Sequence, residues 1–218
     1  MEYRTVSLAD RVFESLEYSI LSGRYKKGEI ISEKRLCSEL GVSRTPIREA
    51  LSRLQEEDLI SDSPSGTVVL GMTLNEIRDV YEVKRRVEVL ASERAARHIT
   101  DKELKHMRDI LDQQEYYAHK HDVIRLMDLD TEFHLAIYDA SRSRIFRKIL
   151  RSQHKKLMRY RRASVRQNNK RFTESVIEHN KLYDAFEMHD EKLAHDLMLE
   201  HVENAAESLN KMNETDIR

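Results

Sequence analysis

The sequence contains a single cysteine, Cys37, so no disulfide can close within the chain. A lone cysteine beside Leu36 on a helical pattern reads as a small buried apolar residue, and its isolation fits a reducing compartment. Tryptophan is absent, and 218 residues hold only five glycines and two prolines. So few turn-formers argue against a many-stranded or loop-rich fold. They leave long helices whose outer faces absorb a charged content of 35%. No run of about eighteen apolar residues occurs, which removes a membrane-spanning helix. The opening MEYRTVSLADRVF lacks the apolar core of a secretory signal, so a cytoplasmic protein is expected. A net charge of −1 provides no overall pull on nucleic acid, and any such pull must be local. Internal repeats and low-complexity segments are also lacking.

What is present centres on Ile31 to Leu59, ISEKRLCSELGVSRTPIREALSRLQEEDL. Ser32 suits an N-cap, Leu36 and Leu40 share a helix face, and Gly41 supplies a left-handed stop. A second helix opens at Ser43, Thr45 and Pro46, either hydroxyl serving as its cap. It buries Ile47, Ala50, Leu51 and Leu54 and turns Arg44, Arg48 and Ser52 outward. The two helices are either a plain αα-hairpin or a DNA-reading helix-turn-helix. Ser61 to Gly66 follows as turn chemistry and Thr67 to Leu70 as a β-branched run, together a short hairpin that reads as a wing. Arg24 to Arg53 carries eight basic residues against four acids, a modest local basic patch.

The order LxxxLGVSRTPIREALxxLxxxxLI followed by PSGTVV resembles the winged-helix domain of GntR-type bacterial transcription regulators. The resemblance implies that Lys34, Ser43, Arg44, Thr45, Arg48 and the wing residue Gly66 meet DNA.

Upstream, Leu8, Val12, Leu16, Ser19 and Ile20 follow the helical period across 7–22. Gly71-Met72-Thr73 marks a boundary, giving domains at 1–71 and 72–218. Beyond it the pattern predicts only helices, about six: 73–97, 100–119, 122–140, 143–166, 171–188 and 190–213. Thr73 with Glu76 and Thr100 with Glu103 form capping-box patterns at the first two starts. The first buries Ile77, Val80, Tyr81, Val83, Val87, Leu90 and Ala91. The fold class is therefore mainly α: a winged helix-turn-helix domain, then an all-helical antiparallel bundle.

Four bundle residues stand on apolar stripes. Asp130 and His134 lie at i, i+4 on one helix, His179 is flanked by Val176, Leu182 and Phe186, and His201 neighbours Leu197, Met198 and Ala205. They are either ordinary hydrogen-bonded core residues or ligands of one divalent metal, for which this donor set suits Zn, Ni, Fe, Co or Mn. The remaining histidines, His98, His106, His119, His121, His154, His189 and His195, sit among charged residues and read as surface. The DxxFH, EHxxL and HVENA segments resemble the helical ligand-binding domain of the FadR branch of GntR regulators. That resemblance implies that Asp130, His134, His179 and His201 hold the metal and that a small carboxylate effector completes its shell. Lys84 stands where that branch usually has an effector-binding Arg; it keeps the charge but loses the two-pronged donor. Arg142 to Arg171 carries thirteen basic residues and no acid. The run is either a solvated face or a source of pocket cations, Arg159 and Arg162 being the candidates.

Three functions compete at this stage. The first is a homodimeric repressor that binds a near-palindromic double-stranded operator and responds to the acid. The second is a regulator for which the metal itself is the signal. The third is a metal-dependent enzyme with an appended DNA-binding domain. The last has little behind it, because no nucleophile–base pair or phosphate loop is present and Glu178, the only nearby base, points about 100° away from His179.

Overall fold

The computed structural model describes residues 7–167 and 170–210; the side chains of Arg159, of residues 162–167 and of 209–210 lie outside that description. The chain divides into two compact units between residues 73 and 74.

In the first unit α1 (Leu8–Leu21) opens on a reciprocal cap, with Ser7 Oγ accepting from Asp10 N–H at 3.0 Å and Asp10 Oδ2 accepting from Ser7 N–H at 3.1 Å. Its apolar face, including Phe13, Leu16 and Ile20, packs on the third helix, where the Arg53 guanidinium lies 3.9 Å from the Phe13 ring centroid. Leu8, placed on that face by its period, is 44% exposed because it stands on the first, uncovered turn. After α1 comes a short strand, β1 (Ile30–Ile31), that the sequence reading missed.

α2 (Glu33–Leu40) is capped by Ser32, whose hydroxyl accepts from Arg35 N–H at 3.2 Å, and ends at Gly41 with φ 65°. Cys37 is half-buried rather than part of the core. α3 (Arg44–Glu56) begins after Ser43, but no hydroxyl caps it. The reason is Pro46, which occupies the third helical position and has no N–H to offer a Ser43 cap. Ile47, Ala50 and Leu54 are buried and Leu51 is half-buried, as their spacing requires. β2 (Ile60–Ser63) and β3 (Gly66–Val69) pair around a two-residue loop, Pro64–Ser65, in register Ile60↔Val69 to Ser63↔Gly66. β1 adds to the far side of β3, giving the order β1-β3-β2. Gly66 has φ 128°, and a Cβ there would meet Ile30 Cγ2 at 3.2 Å, so the wing needs glycine for its own geometry.

The second unit contains six helices among the described residues: α4 (Leu74–His98), α5 (Asp101–Lys120), α6 (Val123–Ala140), α7 (Arg144–Gln167), α8 (Lys170–Glu187) and α9 (Glu191–Asn210). α4 packs on α9, α6 and α7, and α5 on α6 and α8. The core holds Leu129, Phe133, Ile137, Leu182, Phe186 and Met198, each fully shielded. On α4, Ile77, Val80, Tyr81 and Ala91 are buried and Val83 and Val87 are half-buried. Leu90, expected inside, is 45% exposed, because the inner stripe runs instead through Lys84 and Glu88. No described helix is long and apolar enough to cross a membrane.

At the start of α5, Glu103 accepts from Thr100 N–H at 3.0 Å and Thr100 Oγ at 2.8 Å, and takes both Nη atoms of Arg142 at 2.6 Å. These bonds to Arg142 and Thr100 outweigh burial and hold the Glu103 carboxyl at about 2, against an ordinary 4.5. A depressed folded pKa stabilises above the unfolded value and is lost as pH falls through the folded one. Glu103→Gln is therefore expected to cost about 1–2 kcal/mol at neutral pH after solvent screening. Urea titrations should show the difference shrinking from about pH 4.5 toward pH 2; a pH-independent cost would mean the loss is not that of the charge.

Candidate functional site

On the first unit, Lys34 at the start of α2 and Ser43, Arg44, Thr45 and Arg48 at the start of α3 are all exposed. Arg48 Nε donates to both oxygens of Glu33, at 2.9 and 3.0 Å, which sets the first turn of α2 beside α3. The pair is solvated, with side-chain exposures of 64% and 35%, so it is weak and easily exchanged for another anion. Gly66 lies apart, at the wing turn.

On the second unit, α6, α8 and α9 bring Asp130, His134, His179 and His201 to one buried spot, none more than 4% exposed. One ring nitrogen of each histidine lies within 4.8 Å of the others. Each ring also has its Nδ1 taken from behind. His134 Nδ1 lies 2.7 Å from Glu88 Oε1, His179 Nδ1 2.9 Å from Gln114 Oε1, and His201 Nδ1 2.6 Å from Glu178 Oε2. An acceptor at Nδ1 fixes the proton there and leaves Nε2 as a lone-pair acceptor, which at His179 takes a hydrogen bond from the Ser175 hydroxyl at 3.3 Å. Asp130 completes the set. Its Oδ2 is 4.0 Å from His134 Nε2, and its Oδ1 is 3.9 Å from His179 Nε2 and has no hydrogen-bond partner among the described residues.

Such a set fits a divalent metal on three grounds: three imidazoles in the correct tautomer, one carboxylate, and a buried carboxylate oxygen otherwise left unsatisfied. Burial lowers the proton affinity of His179 and His201, with His201 and His134 adding to it at His179 and His134 adding to it at His201, so these two rings favour the uncharged form that binds metals. Burial alone would raise the Asp130 carboxyl, but the Arg161 guanidinium outweighs it and holds the group well below the usual carboxylate range.

Beside this cluster lies a cleft, partly open to solvent and bordered by Tyr81, Lys84, His154, Arg161, Arg171 and Ser175 among others. Lys84 is 6% exposed, and its Nζ lies 2.7 Å from Glu88 Oε2, outside good hydrogen-bond alignment, so charge is what holds the pair. The expected pocket cations Arg159 and Arg162 have side chains outside the described residues. The arginines that do border the cleft are Arg161, 2.5 Å from Asp130 Oδ2, and Arg171, 2.7 Å from Glu178.

His154 is the clearest correction. Read as a surface residue, it is 3% exposed and 3.5 Å from Asp130 Oδ2. The charged run around it hid a usable signal, since Leu150 and Leu157 flank it at i−4 and i+3 and are both buried. Glu88 was missed for a related reason. It continues the stripe of Ile77, Tyr81 and Lys84, where a charged residue is an exception that requires a partner.

Two family descriptions match the chain: residues 8–69 match "Bacterial regulatory proteins, gntR family" and residues 79–204 match "FCD domain". The gluconate operon transcriptional repressor of Bacillus licheniformis is 35% identical over 127 residues, 58% of this chain and 52% of that protein. The protein of the same name from Bacillus subtilis (strain 168) is 32% identical over 130 residues, 60% and 54% of the two chains. The chain thus aligns with about half the length of these relatives. Among solved structures, Escherichia coli McbR/YncC superposes with a TM-score of 0.84 at 21% identity, covering 95% of this chain and 99% of that one. A putative transcriptional regulator GntR from Rhodococcus sp. RHA1 gives 0.74 at 23%, covering 94% and 99%. At these identities the likeness speaks to the fold.

Proposed function

Because the chain belongs to the GntR family of bacterial regulatory proteins and carries an FCD domain, we propose that it is a homodimeric DNA-binding transcriptional repressor whose helical domain, residues 72–218, binds a divalent metal and a small organic acid that modulates operator binding. The family is one of regulators rather than enzymes. Repression is taken from the two Bacillus relatives named as repressors.

In this reading the domain of residues 1–71 is the DNA reader. α3 enters the major groove with Ser43, Arg44, Thr45 and Arg48, while Lys34 and the wing at Gly66 hold the backbone. A two-fold dimer reads a near-palindromic operator. Arg44→Ala and Arg48→Ala are each expected to weaken specific binding by about 1–3 kcal/mol where they reach guanine edges. Fluorescence anisotropy with an operator duplex and a scrambled one measures this. Equal losses on both duplexes would reduce the arginines to phosphate contacts.

The observation that carries the metal reading is the way Glu88, Gln114 and Glu178 tie back one Nδ1 each, leaving three Nε2 lone pairs, that of His179 met only by the Ser175 hydroxyl at 3.3 Å, beside the unpartnered Asp130 Oδ1. Asp130, His134, His179 and His201 would hold the ion, which supplies a Lewis-acid anchor for a carboxylate oxygen. Lys84, Arg161 and Arg171 attract and orient the anion. An allosteric coupling of about 1–3 kcal/mol between acid and operator suffices to change promoter occupancy.

The test is thermal unfolding of metal-loaded and chelator-stripped protein against a panel of organic acids, followed by operator binding. An acid at about 100 times its dissociation constant should add roughly 2.7 kcal/mol, in the presence of metal only. If metal alone shifts operator affinity and no acid does, the metal is itself the signal. If neither metal nor acid moves the unfolding midpoint, the four residues are ordinary core.

A further inference from the structure

Each cation at the cleft is matched by one acid. Lys84 Nζ is 2.7 Å from Glu88, Arg161 is 2.5 Å from Asp130, and Arg171 is 2.7 Å from Glu178. None of the six side chains is more than 19% exposed. Among the described residues the ionised groups of the cleft therefore cancel. A divalent ion on Asp130 and three neutral imidazoles would add two positive charges that no described acid balances. Inside a partly desolvated cleft such an excess is costly, and the species that lowers it most carries two negative charges. A monocarboxylate would leave one charge uncompensated.

A second observation concerns hydrogen-bond donors. Arg161 Nη1 lies 2.9 Å from His154 Nε2. A guanidinium can only donate, so Nε2 accepts, the ring is neutral, and its proton sits on Nδ1. His154 borders the cleft, is 3% exposed, and its Nδ1 has no partner among the described residues. A buried donor in this condition is costly until an acceptor reaches it.

We propose that the effector is a dianionic organic acid, one carboxylate of which binds the metal while the second anionic group is received by His154 Nδ1–H and the Arg161 guanidinium. The inference rests on the metal-and-acid reading above and narrows its ligand class. His154 and Arg161 become the residues that count the charges of the ligand, a role distinct from holding the ion.

Calorimetry on the full chain tests both levels separately. Zn2+ is titrated first, without acid. If wild type takes up no Zn2+, the metal reading fails and this inference falls with it. With Zn2+ bound, succinate, malonate and glutarate are compared with butyrate, propionate and acetate. The expected result is that the best dicarboxylate binds at least about tenfold more tightly than any monocarboxylate. Equal or tighter binding of a monocarboxylate, or no binding of any dicarboxylate, overturns the proposal while leaving the metal site standing. His154→Phe removes the donor while replacing none of the four proposed ligands, and Arg161→Lys keeps the charge beside Asp130 but loses the second prong. Both are expected to narrow the tenfold preference to about threefold or less with Zn2+ uptake intact. Full preference in both variants would overturn the assignment to these two residues.

Discussion

Glu88→Ala is expected to cost about 3–5 kcal/mol of folding stability, the largest effect of any single substitution in the helical unit. Glu88 is fully buried. Its Oε1 accepts from Tyr138 Oη at 2.5 Å and His134 Nδ1 at 2.7 Å, and its Oε2 faces Lys84 Nζ at 2.7 Å. Burial opposes its ionisation, but Lys84 and His134 outweigh that and keep the carboxyl well below its ordinary range. Removing it strands a buried ammonium, a buried phenol and a buried imidazole together, and an unpaired buried charge costs far more than the pair contributes. Equilibrium urea unfolding in the presence of chelator measures the loss without any metal contribution. The double variant Lys84→Met with Glu88→Leu removes both charges and should recover most of the stability. A cost below about 1 kcal/mol for Glu88→Ala would mean that Lys84 reaches solvent once released, and the ion pair would not be structural.

The second large effect concerns metal retention. His179→Ala and His201→Ala are each expected to lower Zn2+ affinity by well over a hundredfold, since each removes one donor of four. The more discriminating variant is Glu178→Gln. Glu178 is not itself a proposed ligand; it accepts from His201 Nδ1 at 2.6 Å and pairs with Arg171 through both oxygens, at 2.9 and 2.7 Å. Burial pushes against its charge, yet His201 and Arg171 hold the carboxyl down at about 2. Loss of such an outer partner typically costs about 10–100-fold in metal affinity. Competition against a chelating dye at neutral pH reads all three variants. Unchanged affinity in His179→Ala would remove the metal site. Unchanged affinity in Glu178→Gln with a loss in His179→Ala would keep the site and deny the tautomer argument.

Much of the fold can be read along the chain because its signals are local. Ser32 and Gly41 bound α2 through bonds made within one turn, and the six bundle helices follow from a 3.6-residue apolar period interrupted by short polar joints. The same periodicity puts Asp130, His134, His179 and His201 on inner faces. Where a local signal misleads, a neighbour decides. β1 exists only because Ile30 and Ile31 find β3, more than thirty residues away, and α3 lacks the cap its serine suggests because Pro46 withholds the N–H.

By itself, then, the sequence determined the winged helix-turn-helix, the helical unit and the inner faces of its helices, since each rests on contacts within a few residues. Only the tertiary structure decided that the three histidines meet, that Glu88, Gln114 and Glu178 orient them, and that His154 and Arg161 belong to the cleft. Those contacts join residues up to 67 positions apart, the separation of His134 and His201. Periodicity says which face of a helix is buried; which partner it meets there is set by how the helices pack, and a buried charge among apolar residues is stable only where that packing supplies its counter-charge.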